Sequence, residues 1–289
     1  MSAAAELSDP AVAADQRWLA REINNGGVLV LSGAGLSTES GIPDYRGPTG
    51  RLHPATPMTF QEFTASPAAR RRYWARSHRG WQRIEQAEPN HGHQAVARLQ
   101  RAGLLSGVIT QNVDGLHQAA GARDVIELHG GLNRVTCLSC RATSDRDELD
   151  ERLVAANPGA REALDAGPVK PDGDVELAES EIASFRLVDC LDCGAGPLKP
   201  DVVFFGENVP PERVARCYAL VEASRLLLVL GSSLTVASGF RFVRRAAARG
   251  IAVAIINQGA TRGDSLADVL LDGPLGAVLP ALAAEAIGG

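Results

Sequence analysis

Four of the five cysteines form two C-x-x-C pairs, a spacing that can hold a metal ion. The first pair is Cys137 and Cys140, and the second is Cys190 and Cys193. Two thiolates at this spacing bind one zinc ion from a tight turn, and two such turns complete a tetrahedron. Protein ligands would then fill every position, so we expect a structural zinc rather than a catalytic one. A redox C-x-x-C site is the alternative, but two pairs favour one shared metal.

A glycine turn follows an apolar run near the amino terminus. Residues 27–35 read as a buried strand that runs into Gly33, Ala34 and Gly35. We expect this turn to open a helix, whose free N–H groups and dipole would favour a pyrophosphate. Thr38 stands at the third position of the dinucleotide fingerprint, where dehydrogenases have glycine, and no clear acidic residue ends a second strand about 20 residues on. These departures argue against an ordinary hydride-transfer enzyme.

The chain after this turn contains polar residues that could hold a phosphate. Asp44, Tyr45 and Arg46 lie in a stretch with glycines and a proline, which predicts a mobile loop. The Arg46 guanidinium could pair with a phosphate. An irregular surface loop without a ligand is the alternative.

Polar residues also follow three later apolar runs. Ligands of open α/β sheets bind outside the carboxyl ends of the strands, so these residues could form a wall for ribose, phosphate, adenine or a carboxamide. Each group alone is also typical of an ordinary turn. The three groups are Gln111, Asn112 and Asp114; Gly231, Ser232 and Ser233; and Asn257, Gln258 and Gly259.

His129 is the candidate general base. It ends the apolar run 124–130, and its unperturbed pKa of about 6.5 suits proton transfer near neutral pH. A structural histidine or a zinc ligand is the alternative, although four cysteines already complete a zinc site. His117 lies near the Gln111 group and is the close rival.

Apolar strands alternate with helices along most of the chain, which predicts an α/β fold with a doubly wound, Rossmann-like parallel sheet. Strands are predicted at 107–112, 124–130, 202–206, 225–231 and 251–257, and helices at 68–85, 93–102, 211–222 and 239–249. The alternation is broken twice, so we expect two insertions that form a smaller zinc-binding domain. The predicted division assigns residues 1–42, 109–132 and 199–289 to the nucleotide-binding domain, 43–108 to a helical insertion with the cofactor loop, and 133–198 to the zinc-binding insertion.

Composition excludes several classes of function. The chain has 289 residues, a formal charge of −5 and a sequence pI near 5.7, so no nucleic-acid partner is expected. No apolar run approaches the roughly 20 residues of a membrane span, so no membrane partner is expected. The first 16 residues contain acids but no lysine or arginine, unlike a secretory or transit peptide. We therefore expect a cytoplasmic protein.

The ordered motifs resemble those of the sirtuins, NAD-dependent protein deacylases. The resemblance runs from about residue 27 to 280 and includes GAGLSTESGIPDYRG, TQNVDGLH, LHG, CLSC, CLDC, LKPDVVFFGE, GSSLTV and INQG. Residues 70–81 and 170–185 resemble the class II branch, which includes a mitochondrial member with lipoamidase, deacylase and ADP-ribosyltransferase activities. Tyr45 stands where many sirtuins have phenylalanine. The tyrosine and arginine that read succinyl-lysine in another class are not evident in residues 47–80.

The resemblance implies a role for each matching position. Gly33, Ala34, Gly35 and Thr38 would hold the NAD pyrophosphate, and Asp44, Tyr45 and Arg46 would close over NAD. Gln111, Asn112 and Asp114 would line the nicotinamide and ribose pocket, with Asn112 and Asp114 assisting catalysis by His129. Gly231, Ser232, Ser233, Asn257, Gln258, Gly259 and Leu275 would hold the adenosine half. Val203, Phe204, Phe205, Gly206 and Glu207 would pair with the acyl-lysine substrate as an added strand.

The resemblance also implies a reaction. The acyl-lysine oxygen attacks C1′ of the nicotinamide ribose, nicotinamide leaves, and His129 removes a proton from a ribose hydroxyl. Free lysine and O-acyl-ADP-ribose are the products. An NAD-dependent protein mono-ADP-ribosyltransferase or a lipoamidase on the same fold is the alternative. A zinc-dependent interaction module with a vestigial nucleotide fold is a third possibility.

Overall fold

A computed structural model describes residues 10–47, 57–160 and 174–289 of the chain. Several predicted stretches lie partly outside these described residues, among them the first 16 residues, the insertions 43–108 and 133–198, and the segment 170–185. Strands of the described residues are β1 (Val28–Ser32), β2 (Leu105–Thr110), β3 (Ile126–Glu127), β4 (Gly130–Cys137), β5 (Thr143–Asp145), β6 (Leu198–Val202), β7 (Leu226–Leu230), β8 (Ala252–Asn257) and β9 (Val269–Asp272).

The helices of these residues confirm the predicted alternation. Each of the helices predicted at 68–85, 93–102, 211–222 and 239–249 is present, with bounds within two residues of those expected at both ends. In chain order the helices are α1 (Pro10–Asn24), α2 (Phe60–Ala65), α3 (Pro67–Glu85), α4 (His91–Arg101), α5 (Leu116–Ala119), α6 (Arg146–Ala156), α7 (Glu179–Ser184), α8 (Pro211–Ala223), α9 (Ala237–Ala248) and α10 (Leu275–Gly288).

The larger sheet has six parallel strands in the order β3-β2-β1-β7-β8-β9. Successive side chains of a strand point to opposite faces, so a central strand needs apolar residues on both. In β1, Val28 and Val30 pack into a core with α1, α4 and α10, whereas Leu29 and Leu31 pack into a core with α8 and α9. The sheet is therefore doubly wound, as the sequence predicted.

A smaller antiparallel sheet, in the order β5-β4-β6, carries the cysteine pairs. Its core includes a buried cation, because the Arg146 guanidinium lies 5.3 Å from the ring centre of Trp74 and 5.0 Å from that of Trp81. Arg146 also donates to Asp150 at 3.0 Å, and His78 contacts the same carboxylate at 2.6 Å. These contacts join α3 to α6.

The strands cross the predicted domain boundaries. β2 begins at Leu105, inside the predicted insertion 43–108, and α4 packs into the same core as β1. β4 begins at Gly130 and β6 ends at Val202, so the small sheet extends past both ends of 133–198. The register explains the second difference, since Gly130 lies opposite Val202 in the antiparallel pair.

Two local predictions are wrong. The predicted strand 202–206 is the end of β6 followed by an irregular segment, because Gly206 has a φ of +78° and Phe204 turns into the small core. The glycine turn does not open an α-helix but leads into two 3₁₀ turns, Ala34–Leu36 and Thr38–Ser40. The Thr38 hydroxyl bonds the Gly35 carbonyl at 3.0 Å, a side-chain contact that competes with helical bonding. Within the described residues, no helix is both long and apolar enough to cross a membrane.

Candidate active site

A cavity of about 410 Å³ lies at the carboxyl edge of the large sheet, against the start of the small one. Every predicted catalytic, nucleotide-binding and substrate-binding residue lines it except Gly259, which lies beside it. The Gly259 N–H donates instead to the Asp272 carboxylate at 3.3 Å. Other residues also line the cavity, among them Ser37, Val113, Ser238 and Arg241.

The sheet register brings the polar strand ends together. Ser32, the last residue of β1, lies opposite Thr110 of β2 and Leu230 of β7. The residues that follow these strands therefore meet at one edge. The Gln111 amide nitrogen donates to the Ser232 hydroxyl at 2.9 Å, which joins two of the predicted groups directly.

The glycines of the first turn are required by packing within the protein. A Cβ on Gly35 would lie 2.9 Å from the Gly231 carbonyl oxygen, and one on Gly33 would lie 2.8 Å from the Ser232 Cβ. Gly231 has a φ of +60°, and a Cβ there would lie 2.5 Å from the Leu36 nitrogen. The Gly33 and Gly35 N–H groups donate to the Leu230 and Gly231 carbonyls, and Gly33, Ala34 and Gly35 line the cavity, where the pyrophosphate is predicted to lie.

A hydrogen-bonded chain fixes the carboxylate of the pocket. The Ser37 hydroxyl donates to Asp114 at 2.6 Å, and the Asn112 amide donates to Ser37 at 3.0 Å and to the Gly33 carbonyl at 3.1 Å. Burial raises the pKa of Asp114, while the bond from Ser37 opposes that change. Ser37 lies within the motif GAGLSTESGIPDYRG, and its bond to Asp114 depends on a contact between residues far apart in the sequence.

His129 has a hydrogen-bond partner on each ring nitrogen. Nδ1 lies 2.9 Å from the Gln111 carbonyl oxygen, and Nε2 lies 2.8 Å from the Ser238 hydroxyl. A carbonyl only accepts, so Nδ1 carries the proton and Nε2 offers a lone pair. Burial lowers the pKa of His129, the hydrogen bond to the Gln111 carbonyl opposes that change, and the charges of Arg213 and Arg241 act with burial. The ring is therefore a neutral base at neutral pH.

His117, the rival candidate, lies behind the sheet edge. Its Nε2 lies 2.8 Å from the Ser32 hydroxyl, and its ring centre is 5.2 Å from that of His93. Burial lowers the pKa of His117 to about 4. It does not line the cavity, so its contacts are those of a structural histidine.

The cofactor loop, residues 44–46, and the predicted substrate segment, residues 203–207, contact each other across the cavity. The ring centres of Tyr45 and Phe205 are 6.2 Å apart with the planes at 70°. Asp44 is buried, and a Cβ on Gly47 would overlap its carboxylate. On the adenosine side, the Asn257 amide is held by the Gly259 carbonyl at 2.7 Å. Leu275 is buried against the cavity.

Backbone contacts hold the substrate segment at its first and third residues. The Val203 N–H donates to the His129 carbonyl at 2.8 Å, and the Phe60 N–H donates to the Phe205 carbonyl at 2.9 Å. Lys199 contacts two residues of this segment, since its Nζ lies 2.9 Å from the Glu207 carboxylate and 4.6 Å from the Phe204 ring centre. Burial lowers the pKa of Lys199, and Glu207 opposes that change.

The four paired cysteines converge on one point. Their sulfur atoms all lie within 4.8 Å of one another, and two Sγ–Sγ distances, Cys137–Cys193 and Cys140–Cys190, are 3.7 Å. A tetrahedron with Zn–S bonds of about 2.3 Å has edges of about 3.8 Å. A disulfide would need about 2.0 Å. The donor set and its spacing therefore fit one structural zinc ion, and the predicted cluster is confirmed.

Comparison with known proteins gives one family for the chain. The family model described as Sir2 matches residues 33–238. A Streptomyces coelicolor protein named NAD-dependent protein deacetylase 1 is 60% identical over 265 residues, which cover 92% of this chain and 88% of the relative. The Drosophila melanogaster protein named NAD-dependent protein deacylase Sirt4 is 46% identical over 258 residues, covering 88% of this chain and 82% of the relative.

Solved structures share the fold. A Sir2 enzyme superposes with a TM-score of 0.75 at 30% identity, covering 94% of this chain and 98% of the other. A Sir2 complex with a p53 peptide and NAD⁺ superposes with a TM-score of 0.69 at 30% identity, covering 90% of this chain and 94% of the other.

Proposed function

The chain belongs to the Sir2 family, and from that premise we propose that it is an NAD-dependent protein-lysine deacylase. The products are nicotinamide, free lysine and O-acyl-ADP-ribose. The observation that carries this proposal is the position of His129, whose ring lines the same cavity as the glycine turn and whose Nδ1 is fixed by the Gln111 carbonyl. That arrangement supplies a base next to a nucleotide cradle.

NAD supplies a ribose carbon whose nicotinamide group can leave, and the chain supplies the surroundings. Gln111, Asn112 and Asp114 face the space that the nicotinamide ribose would fill. The amides orient hydroxyl and carboxamide groups, and a carboxylate stabilises positive charge that develops on the ribose. Ser37 and Asn112 hold Asp114 in place before any ligand enters.

His129 takes the proton of a ribose hydroxyl in this proposal. Its Nδ1–H bond to the Gln111 carbonyl sets the tautomer, so that the lone pair lies on Nε2. Burial keeps the ring neutral, which is the form that a general base needs. The apolar side chains of Val113 and Phe204 line the cavity and limit water around the reacting atoms.

The peptide substrate adds a strand beside residues 203–207. This segment is irregular rather than part of a sheet. The Val203 N–H donates to the His129 carbonyl, the Phe204 N–H donates to the Glu207 carboxylate, and the Phe205 carbonyl accepts from the Phe60 N–H. An extended acyl-lysine peptide would lie along this segment, where residues 203–207 line the cavity. Phe205 remains 38% exposed, although it is a large apolar side chain, and it faces the Tyr45 ring.

The zinc ion holds the small sheet together and takes no part in the chemistry. The cysteine cluster binds through four protein ligands, so no position remains for a substrate. We include in the proposal a division into a nucleotide-binding part and a zinc-binding part, with β4 and β6 assigned to the second. We also propose a cytoplasmic location, where thiols stay reduced and available to zinc.

The experiment that tests this function measures nicotinamide release from NAD with an acetylated lysine peptide and with the same peptide unmodified. Release that needs the acetyl group supports a deacylase. Transfer of labelled ADP-ribose onto the protein substrate would support the mono-ADP-ribosyltransferase alternative. A panel of acetyl, longer fatty acyl, lipoyl and methylglutaryl peptides would then assign the acyl group and test the lipoamidase alternative.

A further inference from the structure

Ser238 has no role in the sequence motifs, yet it contacts the base. It is the second residue of α9, and its hydroxyl lies 2.8 Å from His129 Nε2. Since Nδ1 donates to Gln111, the neutral ring accepts the Ser238 proton at Nε2. A ring nitrogen has one lone pair in the ring plane, so Ser238 occupies the site at which a substrate proton would arrive.

The start of α9 packs against Gln111. A Cβ on Gly239, the next residue, would lie 2.3 Å from the Gln111 side-chain oxygen, so the helix packs directly on Gln111. Gln111 thus contacts α9 through its side chain and His129 through its carbonyl. Gln111 therefore contacts both the ring of His129 and the helix turn that carries Ser238.

The Ser238 oxygen keeps acceptor capacity towards the cavity. Ser238 and His129 both line the cavity. A hydroxyl that donates one hydrogen bond still has lone pairs that can accept a hydrogen bond from a second group. Charged groups around the ring are Arg213 of α8 and Arg241 of α9, and the Asp114 carboxylate lines the same cavity. The cations favour the neutral ring, so Nε2 stays an acceptor.

We propose that Ser238 is a catalytic residue that relays the ribose proton to His129. This inference rests on the proposed deacylase function. The ribose hydroxyl gives its proton to the Ser238 oxygen while the Ser238 proton moves to His129 Nε2. One O–H bond on the ribose breaks and one N–H bond forms. Serine ends the step with the proton it received, and the ribose oxygen is left to attack the acyl carbon.

Two activities separate this role from a structural one. Nicotinamide leaves before the ribose hydroxyl is deprotonated. The enzyme should therefore exchange labelled nicotinamide into NAD in the presence of the acyl peptide, and this exchange does not need the relay. We expect S238A to lower deacylation by about 10- to 100-fold, less than the loss of a whole general base because water can enter the space. Exchange should stay within about two-fold of wild type. S238T keeps a hydroxyl and should recover most of the deacylation.

A serine far from the cavity provides the control. Ser184 lies at the end of α7 and bonds only within its own helix turn, so S184A should keep both activities. The relay is overturned if S238A deacylates as fast as wild type, or binds NAD more tightly with an unchanged kcat, since the serine would then only cover the base. An equal fall in exchange would also overturn it. A wild-type enzyme that lacks both activities would overturn the proposed function itself, and the relay with it.

Discussion

The Gln111 carbonyl oxygen accepts a hydrogen bond from His129 Nδ1 at 2.9 Å, and this contact decides which nitrogen is the base. Gln111 follows β2 and His129 follows β3, and these two strands are parallel neighbours in the sheet. The bond is therefore a consequence of the sheet register. Leu128 donates to the Thr110 carbonyl at 2.8 Å and extends that register to the residue before His129. The sheet therefore sets both the position and the tautomer of the base.

Replacement of a zinc ligand should remove the metal and destabilise the small sheet. We expect C137S to lose the one zinc ion per chain, because three thiolates leave the tetrahedron open, and to lose solubility because metal binding contributes to folding. Metal content measured by elemental analysis tests this. C217A is the matched control, since Cys217 is buried on α8 outside the cluster. Equal zinc content in C137S and C217A would contradict the site.

The contact between Gly35 and Gly231 should make the first turn intolerant of a side chain. A Cβ on Gly35 meets backbone atoms of Gly231 at 2.9 to 3.1 Å, and these atoms cannot rotate away. We expect G35A to lose about 1–3 kcal/mol of unfolding free energy, with a melting temperature lower by several degrees. G288A, with open space around its Cβ, should leave the melting temperature unchanged or slightly higher. An unchanged G35A would show that the turn is not packed as described.

Two buried histidines should make stability depend on pH. Burial lowers the pKa of His93 to about 3 and that of His117 to about 4, whereas both titrate near 6.5 when unfolded. Between these values the unfolded chain binds more protons, so the free energy of unfolding falls as pH falls below about 6.5. Each histidine contributes a slope of about 1.4 kcal/mol per pH unit.

The variant H93Q isolates one of these groups. We expect the slope between pH 6 and 4.5 to decrease by about 1.4 kcal/mol per unit, measured by urea unfolding at several pH values. H91Q, which replaces an exposed histidine on the same helix, is the control and should keep the wild-type slope. A wild-type slope in H93Q would mean that His93 is accessible to protons in the folded chain.

Lys199 should affect the peptide more than NAD. K199M removes the cation that bonds Glu207 and the Val202 carbonyl, and so loosens the segment 203–207. We expect the KM for the acyl peptide to rise by about 5- to 10-fold, the effect of about 1 kcal/mol or slightly more. The KM for NAD should change less, and K199R should retain most of the peptide affinity. If the KM for NAD rose as much as the KM for the acyl peptide, the segment 203–207 would not be a peptide-binding segment.

Local pattern and strand order were enough to predict most of the fold and the cavity lining. The buried strand β7 is apolar throughout. The polar residues Ser232 and Gln111 come after the carboxyl ends of β7 and β2, and the carboxyl ends of parallel strands lie at the same edge of the sheet. The cysteine spacing was equally direct, since C-x-x-C pairs have few structural uses. These features depend on neighbours in sequence or on a general rule for parallel sheets.

Other features depend on contacts that no local pattern contains. The expected helix after Gly35 is replaced by 3₁₀ turns because side chains such as Thr38 bond the backbone there. The strand expected at 202–206 is interrupted because Phe204 enters the small core. Ser238 gave no signal, because a serine early in a helix usually has only a local role. Its importance appears when the fold places it against His129.

The acyl group's destination tests the central claim most directly. Mass spectrometry of a reaction with NAD and an acetylated lysine peptide should show nicotinamide, deacetylated peptide and acetyl-ADP-ribose in equal amounts. H129A should lower this product formation by about 10²- to 10⁴-fold, the contribution of a general base. Free acetate without nicotinamide release, ADP-ribose left on the peptide, or full product formation by H129A would contradict the account.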